Sequence, residues 1–406
     1  MKCEYKDYEL SNAITDIAAG PFGSNLKVSC FTTTGFPIID GANLKEFTVT
    51  DNITKFVSED KARSLHRSIA KRRDVVVTIS GNVGQVSYIP DNSQYAEYLC
   101  SQRQFRVTFD ESKIYVPYLV YYLHSVEGQS KILAFANQTG VPALSQPLKN
   151  FRKIKIDLPS LAEQKKISAI LSALDEKIAI NRAINENLAL QMQTIWENLF
   201  CSGMESGNRV SLGDYLYIKG RIGWKGLKKE EYLSESPYRI INGESLTANG
   251  IDWSKAGFIP ANRYNESPEI MLQIGDILIS KDGTIGKVGY VDKLDKPTSV
   301  ASGIFIVRNL KPQVVSTIFI YCLLTSSYFK EFIASRTEGS VIPHLYQKDF
   351  VTLDVPLLSE KQLRYFNDTV TPLFDMYFAN QRENLRLSEV RDVLLPKLMS
   401  GEINII

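Results

Sequence analysis

The sequence predicts an α+β protein in which two similar globular domains are each followed by one long helix. Residues 160–200 place apolar side chains alternately four and three positions apart, which is the spacing of a coiled-coil seam. The C-terminal stretch repeats this spacing 199 positions later. The segments that precede the two helices also repeat each other, at offsets of 200 to 202 positions. We therefore divide the chain into a domain at 1–158, a helix at 159–201, a domain at 202–355 and a helix at 356–406.

The two long helices carry the same pattern of seam positions. Its positions are Ile167, Leu171, Leu174, Ile178, Leu188, Met192, Ile195 and Leu199 in the first helix, and Phe366, Val370, Leu373, Tyr377, Leu387, Arg391, Leu394 and Leu398 in the second. The middle of each seam is polar, with Asn181 and Asn185 in one helix and Asn380 and Asn384 in the other. Buried polar residues on a seam cost stability but fix which layers face each other. The pattern predicts a two-helix rod in defined register, in either orientation; the alternative is an ordinary buried hairpin with incidental asparagines.

The domains repeat each other as closely as the helices do. Residues 74–88, DVVVTISGNVGQVSY, align without a gap with 276–290, DILISKDGTIGKVGY. Shorter matches occur at 38–41 with 240–243, at 118–123 with 318–323, and at 142–145 with 343–346. Short β-branched runs that end in glycines predict strands followed by tight turns. The apolar stretches 116–124 and 315–324 predict short buried helices, with a strand as the alternative for so few residues. Two such domains on one rod have an internal pseudo-twofold repeat.

Composition narrows the class of protein. With 406 residues, 44% of them hydrophobic, the chain can bury sizeable cores. No run approaches the roughly 18 apolar residues that span a bilayer, and the start of the chain is too polar for a signal peptide, so we expect a soluble, cytoplasmic protein without a membrane partner. Five scattered cysteines and three histidines predict neither disulfides nor a metal site. We expect no cofactor. The net charge of +2 permits a nucleic acid partner without demanding one.

Catalytic motifs are hard to find in this sequence. The segment 283–287, GTIGK, is too short for a phosphate-binding loop and lacks its hydroxyl residue, so we interpret it as a turn. The Asn-Pro-Pro-Tyr motif of adenine methyltransferases is missing. His66, His124 and His344 lie in unrelated contexts and form no nucleophile–base constellation. We predict no catalytic residue, and an enzyme with an unrecognised site stays open as a hypothesis.

Several motifs together carry a family resemblance. A Pro-x-x-x-Glu-Gln entrance at 159–164 precedes the first helix, a weaker copy at 356–360 precedes the second, and the chain ends in LPKLMSGE at 395–402. The glycine-rich segments 20–24 and 220–227 and the run GDILIS at 275–280 complete the set. In this order, and duplicated, they resemble the specificity subunit of type I restriction–modification systems over essentially the whole chain.

The resemblance implies a non-catalytic DNA-binding subunit. Its two globular domains would be target-recognition domains, each reading one half of a split sequence in double-stranded DNA. The long helices would form an antiparallel two-helix coiled coil that sets the length of the unread spacer. The implied partners are two copies of an adenine methyltransferase (modification) subunit, and a restriction subunit that acts as translocase and nuclease. The complex would methylate adenine and cleave DNA.

DNA-binding candidates occur in both domains. Cations that could contact phosphates are Lys71, Arg72 and Arg73 in a basic stretch of the first domain, and Arg221 and Lys225, with Trp224, in a glycine-rich loop of the second. Candidates for base readout are Asn82, Gln85, Arg103, Gln104 and Gln138 in the first domain, and Lys281, Arg336, Tyr346 and Lys348 in the second. The alternative for each residue is an ordinary solvated surface position.

A protein-interaction scaffold that does not bind DNA is the second functional hypothesis. The near-neutral net charge favours it. We also expect the long helices to leave apolar side chains exposed, such as Leu190 and Trp196, which could meet a partner protein.

Overall fold

The computed structural model describes residues 6–137, 140–207, 209–222, 226–337 and 344–403, without the side chain of residue 337. The chain divides into two compact units. The first unit combines Met1–Ala179 with Asn384–Ile406, and the second unit is Ile180–Glu383. Each unit therefore contains one globular domain and one half of each long helix.

The first domain has a main sheet of four strands and a second sheet of five shorter strands. Its strands are β1 (Lys6–Glu9), β2 (Ile14–Ala19), β3 (Phe31–Thr32), β4 (Phe36–Ile39), β5 (Phe56–Val57), β6 (Ile69–Lys71), β7 (Val75–Thr78), β8 (Val86–Tyr88), β9 (Glu97–Cys100), β10 (Gln104–Phe109), β11 (Ala136–Asn137), β12 (Ala143–Leu144) and β13 (Lys155–Leu158). Its helices are α1 (Glu59–Ser64), α2 (Val116–His124), α3 (Val126–Leu133) and α4 (Pro147–Arg152). The main sheet has the order β2-β10-β7-β8, and the second sheet the order β3-β5-β4-β9-β6.

The side chains of β7 alternate between two cores, so the main sheet is buried on both faces. Val75 and Val77 belong to the core that also contains α2, whereas Val76 belongs to a separate core beside the second sheet. Successive side chains of a strand point to opposite faces, so a run of three valines fits a sheet that is buried on both sides. Residues 116–123 of α2 are all buried, which confirms the short apolar helix predicted from the sequence.

The second domain repeats this architecture. Its strands are β14 (Arg209–Ser211), β15 (Leu216–Gly220), β16 (Tyr238–Ile241), β17 (Leu246–Thr247), β18 (Gly250–Ile251), β19 (Gly257–Ile259), β20 (Ile277–Ser280), β21 (Val288–Tyr290), β22 (Thr298–Val300), β23 (Ile304–Asn309) and β24 (Asp354–Pro356). Its helices are α6 (Ala261–Asn265), α7 (Thr317–Thr325), α8 (Ser327–Thr337) and α9 (Gln347–Val351). The main sheet has the order β15-β23-β20-β21, strand for strand the order of the first domain.

The register of the two main sheets is also the same. Val75 faces Val107 in the first domain, and Ile277 faces Val307 in the second. Beside each main sheet, one pair of parallel strands recurs, β4 with β9 and β16 with β22. The internal repeat predicted from the sequence is confirmed in the two main sheets. The second sheets share the parallel pair but have five strands in the first domain and three in the second.

The two long helices begin with the same capping arrangement. They are α5 (Leu161–Glu205) and α10 (Glu360–Met399). Before α5, the Ser160 backbone N–H donates to the Glu163 carboxylate at 3.0 Å, and before α10, the Ser359 N–H donates to the Gln362 side chain at 3.0 Å. This reciprocal capping satisfies backbone donors that a helix start otherwise leaves unpaired. Helix α10 continues through Pro372 without a break.

The long helices are antiparallel. In the first unit, Ile167 and Leu171 near the start of α5 share a core with Leu395 and Leu398 near the end of α10. In the second unit, residues near the end of α5, including Trp196, share a core with residues near the start of α10. The orientation that the seam pattern left open is therefore the one that the family resemblance implied.

Polar contacts join the middle of the helices. Asn380 donates to the Asn185 side-chain oxygen at 2.9 Å, and Asn185 donates to the backbone oxygen of Tyr377 at 2.9 Å. Asn181 instead donates to Glu383, at 2.7 Å, and Asn384 is half-buried. Two of the four predicted asparagines thus meet each other, and their role in setting the register stays a prediction.

The expectation for exposed apolar residues on α5 is half right. Leu190 is 68% exposed, but Trp196 is only 1% exposed, because it stacks on Phe200 with ring centroids 4.5 Å apart and packs against Phe319. Periodicity did not reveal that the second domain covers this face of the helix. Among the described residues, no helix is both long and apolar enough to cross a membrane.

Candidate nucleic-acid interface

One end of each main sheet gathers the polar loops. In an antiparallel sheet, the loops after β2 and β7 and the loop before β10 lie at the same end. We call residues 20–23, 79–85 and 101–103 the first loop end, and residues 281–287, 301–303 and 344–346 the second loop end. The loops are joined by backbone hydrogen bonds, such as Gly20 N–H to Gln104 O at 2.7 Å and Ile79 N–H to Arg103 O at 2.7 Å.

Glycine is required where these loops approach each other. A Cβ atom at Gly20 would lie 1.9 Å from the backbone oxygen of Ser101, so no other residue fits. Gly81 and Gly283 have positive φ angles of 89° and 67°, a backbone conformation that favours glycine. The glycines noted in the sequence therefore set the shape of both loop ends.

The first loop end is built mainly from neutral amides. Gln85 accepts a hydrogen bond from Thr78 at 3.2 Å, and Gln104 accepts one from Ser101. Asn82 and Arg103 are exposed and Gln85 is half-buried, so three of the predicted base-reading residues lie together at this end. Gln104 is only 1% exposed, which makes it a support for the loops and not a surface group as expected. Gln138 lies outside the described residues.

The basic stretch Lys71–Arg73 lies at the opposite end of β7. Arg73 forms hydrogen bonds of 2.8 and 2.5 Å with Glu111, and these bonds hold its pKa above the ordinary value. Arg72 donates to the backbone oxygen of Ser93 at 3.0 Å, and Lys71 lies 3.6 Å from Glu97. Arg73 is thus held within the protein, whereas Lys71 and Arg72 stay exposed beside their partners. These contacts could not be predicted from the sequence, because the partner residues lie about 20 to 40 positions away along the chain.

The second loop end carries charged and aromatic side chains. The Lys281 ammonium lies 3.4 Å from Asp282, and the Asp282 carboxylate is hydrogen-bonded to Nδ1 of His344. The Tyr346 ring packs edge-on against the His344 ring, with centroids 4.5 Å apart, and is 53% exposed. Lys348 places its ammonium 5.3 Å from the centre of the Tyr346 ring. Three predicted residues, Lys281, Tyr346 and Lys348, therefore lie together.

Asp282 and His344 are polar residues that the sequence reasoning missed. A signal was present, because the repeat places Ser80 and Ala143 at the matching positions of the first domain. A change from small residues to an acid and a histidine inside an otherwise matched scaffold marks a position where the two domains differ in chemistry.

Two of the remaining predicted residues, Arg221 and Arg336, lie outside the second loop end. Arg221 is 2% exposed and donates to the Val300 backbone oxygen at 3.2 Å; burial and the neighbouring Arg263 lower its pKa. This burial contradicts the predicted phosphate contact, because the guanidinium donates its hydrogen bond to strand β22 instead. Arg336 is exposed at the end of α8 and donates to Thr352 at 3.0 Å. Trp224 and Lys225 lie outside the described residues.

No cluster of three or more His, Cys, Asp or Glu side chains suited to a metal ion occurs in the described part of the chain.

Comparison with known proteins identifies the family. The family model described as "Type I restriction modification DNA specificity domain" matches residues 27–190 and 212–364, once for each domain. The type I restriction enzyme MjaVIII specificity subunit of Methanocaldococcus jannaschii is 24% identical over 292 residues, which cover 66% of each chain. The MjaIX specificity subunit of the same organism is 24% identical over 365 residues, which cover 86% of this chain and 82% of that protein.

A solved structure shares the fold. The crystal structure of a type I restriction–modification S subunit from M. genitalium covers 98% of this chain and 96% of its own, with a TM-score of 0.57 and 20% sequence identity. The two matched domains together make up more than half of the chain. The chain therefore belongs to the type I restriction–modification DNA specificity family, whose function is DNA sequence recognition.

Proposed function

We propose that this chain recognises a bipartite DNA sequence and directs adenine methylation by a partner methyltransferase subunit. Residues 1–158 form one target-recognition domain and residues 202–355 the other, and each reads one half-site. One observation carries the proposal: the same sheet and the same loop end occur twice, but with amides and Arg103 in one copy and Lys281, Asp282 and His344 in the other. One scaffold with two sets of polar groups suits two different half-sites.

The proposed role is non-catalytic. The chain acts in the cytoplasm with two copies of the methyltransferase subunit, and restriction requires a further translocase and nuclease subunit. The internal repeat supports two equivalent partner sites, because a duplicated surface can bind the same partner twice. The long antiparallel helices act as the spacer between the half-sites.

Phosphate contacts supply affinity in this proposal, and the loop ends supply sequence recognition. Exposed cations beside the loops, such as Arg103 and Lys348, suit the DNA backbone or a guanine edge. With a net charge of +2, the chain alone binds DNA weakly, so tight binding requires the partner subunits.

A protein-interaction scaffold is the second candidate. It is favoured by the internal pairing of the predicted cations Lys71, Arg72 and Arg73, which reduces the positive surface. Purified complexes separate the two candidates. DNA recognition predicts binding to a split sequence that weakens steeply with salt, and the scaffold predicts binding to protein only.

The decisive experiment is adenine methylation mapped across a genome. Cells carrying the matching methyltransferase subunit are compared with and without this chain by long-read sequencing. We expect a split methylated motif that appears only with the chain. If a verified methyltransferase partner produces no chain-dependent motif, the proposal fails and the scaffold is favoured.

A further inference from the structure

The two loop ends share one backbone arrangement. In the first domain, the Leu144 backbone N–H donates to the Ile79 oxygen at 2.8 Å. In the second domain, the Leu345 N–H donates to the Lys281 oxygen at 3.1 Å. The repeat aligns Ile79 with Lys281 and Leu144 with Leu345. The segment that follows β7 in the first domain and β20 in the second is therefore held by the same hydrogen bond.

The side chains next to this shared bond differ. Ser80 and Ala143, which form an isolated antiparallel bridge in the first domain, correspond to Asp282 and His344 in the second. Asp282 and His344 are joined by a hydrogen bond between their side chains, and these side chains are 44% and 28% exposed. The scaffold does not need an acid and a histidine here, because the first domain has the same backbone with two small residues.

With a neutral imidazole, this pair presents two hydrogen-bond acceptors. A neutral imidazole that donates its Nδ1–H to a carboxylate keeps a lone pair on Nε2, which makes Nε2 an acceptor. The carboxylate adds a second acceptor, whose oxygen lies 3.4 Å from the Lys281 ammonium. In the major groove, the donors that match such acceptors are the exocyclic amino groups, N4 of cytosine and N6 of adenine.

Neighbouring residues hold the imidazole in place. The half-exposed Tyr346 ring packs against the His344 ring at 61° and 4.5 Å between centroids. Tyr346 itself is fixed at the start of α9, where its backbone N–H donates to Asp349 at 2.7 Å. A fixed orientation matters for reading a base edge, because discrimination depends on hydrogen-bond geometry.

We propose that Asp282 and His344 are a base-reading pair of the second domain, which accepts a hydrogen bond from the exocyclic amino group of cytosine or adenine in its half-site. Tyr346 is a positioning residue that orients His344. This inference rests on the proposed function, since it assigns chemistry to one of the two proposed half-site readers.

The test uses the full chain in complex with its methyltransferase subunit. The complex methylates a plasmid library in which both half-sites are randomised, and long-read sequencing gives the preference at every position. His344→Ala and Asp282→Asn are expected to relax one position of one half-site by roughly 5- to 150-fold, the range for one lost base contact. The other half-site serves as an internal reference and is expected to stay unchanged. Ser80→Ala, the matched loop variant of the first domain, is expected to leave the half-site of the second domain intact.

The outcomes separate this inference from the proposed function. A wild-type chain that yields no split motif overturns the function itself. A wild-type split motif that both variants leave unchanged overturns the base-reading pair alone. If His344→Ala abolishes all methylation through misfolding, which its melting temperature reveals, Asp282→Asn decides, because that exposed turn position tolerates an isosteric change. Tyr346→Phe is expected to keep the motif, whereas Tyr346→Ala relaxes the same position as His344→Ala.

Discussion

Asp175 on α5 and Arg391 on α10 form an ion pair of 2.7 Å in the first unit, and the side chains are only 24% and 19% exposed. The same carboxylate accepts a hydrogen bond from Tyr121 of the first domain at 2.5 Å. The internal repeat places Phe374 and Met192 at the corresponding positions of the second unit, where both belong to an apolar core. The two ends of one duplicated helix pair are therefore stabilised by different chemistry.

Arg391→Met should destabilise the first unit by about 3 kcal/mol, because it leaves Asp175 largely buried without its cation. The double variant Asp175→Phe with Arg391→Met copies the second unit and should regain most of the loss, since an apolar layer often replaces a buried ion pair at little cost. Hydrogen exchange of the α2 amides measures the effect. A double variant as unstable as the single one would show that the loss comes from packing and not from an unpaired charge.

Asn185→Ala should destabilise the second unit by about 1 to 3 kcal/mol, because it removes the partners of Asn380 and of the Tyr377 backbone oxygen. Urea unfolding followed by fluorescence of Trp196, on the same helix, is a suitable measurement. Asn187→Ala is the matched control, since Asn187 is exposed on α5, and it should change stability by less than about 0.5 kcal/mol. Equal effects of the two substitutions would argue against a structural role for the asparagine contact.

The stability of the first unit should fall as the pH drops below about 6.5, through His124. Burial lowers the pKa of His124, and its Nε2 lies 2.6 Å from the Val86 backbone oxygen. The unfolded chain therefore takes up a proton at higher pH than the folded chain, and protonation of the unfolded state favours unfolding. Hydrogen exchange of α2 between pH 7 and 5 should show this loss in the wild type and a smaller one in His124→Gln. Parallel curves for the two chains would contradict it.

The substitutions Arg73→Ala and Arg103→Ala should have different effects, one on stability and the other on DNA recognition. Arg73→Ala should lower stability without a specific effect on one base position, because Arg73 pairs with Glu111 and packs against the Tyr115 ring at 5.3 Å. Arg103→Ala should leave the melting temperature unchanged and weaken recognition of one half-site roughly 5- to 150-fold, since Arg103 is exposed at the first loop end. Thermal melting and methylation of a randomised library separate the two effects. A destabilised Arg103→Ala would place this residue in the structure and not at the interface.

Inserting seven residues, about two helical turns, into each long helix at their shared middle should lengthen the spacer of the methylated motif. Both half-sites should keep their sequences, because neither loop end is altered. Methylation mapping checks this directly. An unchanged spacer would rule out the helices as the element that sets it.

The large-scale fold was predictable because it depends on patterns of many residues. The seam spacing and the repeat at 74–88 and 276–290 predicted two helices and two similar domains, and both were confirmed. The direction of the helices was not predictable from the seam, because asparagines at its middle allow either orientation. The structure shows the antiparallel direction, because the start of α5 shares a core with the end of α10 and the end of α5 shares a core with the start of α10.

The candidate interface was less predictable, because it depends on contacts between residues far apart in the chain. Lys71, Arg72 and Arg73 form a basic stretch in the sequence, but their partners come from strand β9 and from two other loops. Arg221 follows a strand and looks like a loop residue, yet it is buried beneath β22. Asp282 was overlooked because its partner His344 lies 62 positions away.

The shared cores of the first unit also determine when each domain can be completed during synthesis. Leu171 belongs to the same core as Leu395 and Leu398, more than two hundred residues further along the chain. At roughly 5 to 20 residues per second, a ribosome makes the second part of this core roughly 10 to 45 s after the first. The second unit ends at Glu383 and so has all its residues before the first unit does. The domain that leaves the ribosome first is the last to close its core, and its apolar surface must stay soluble while the other domain is made.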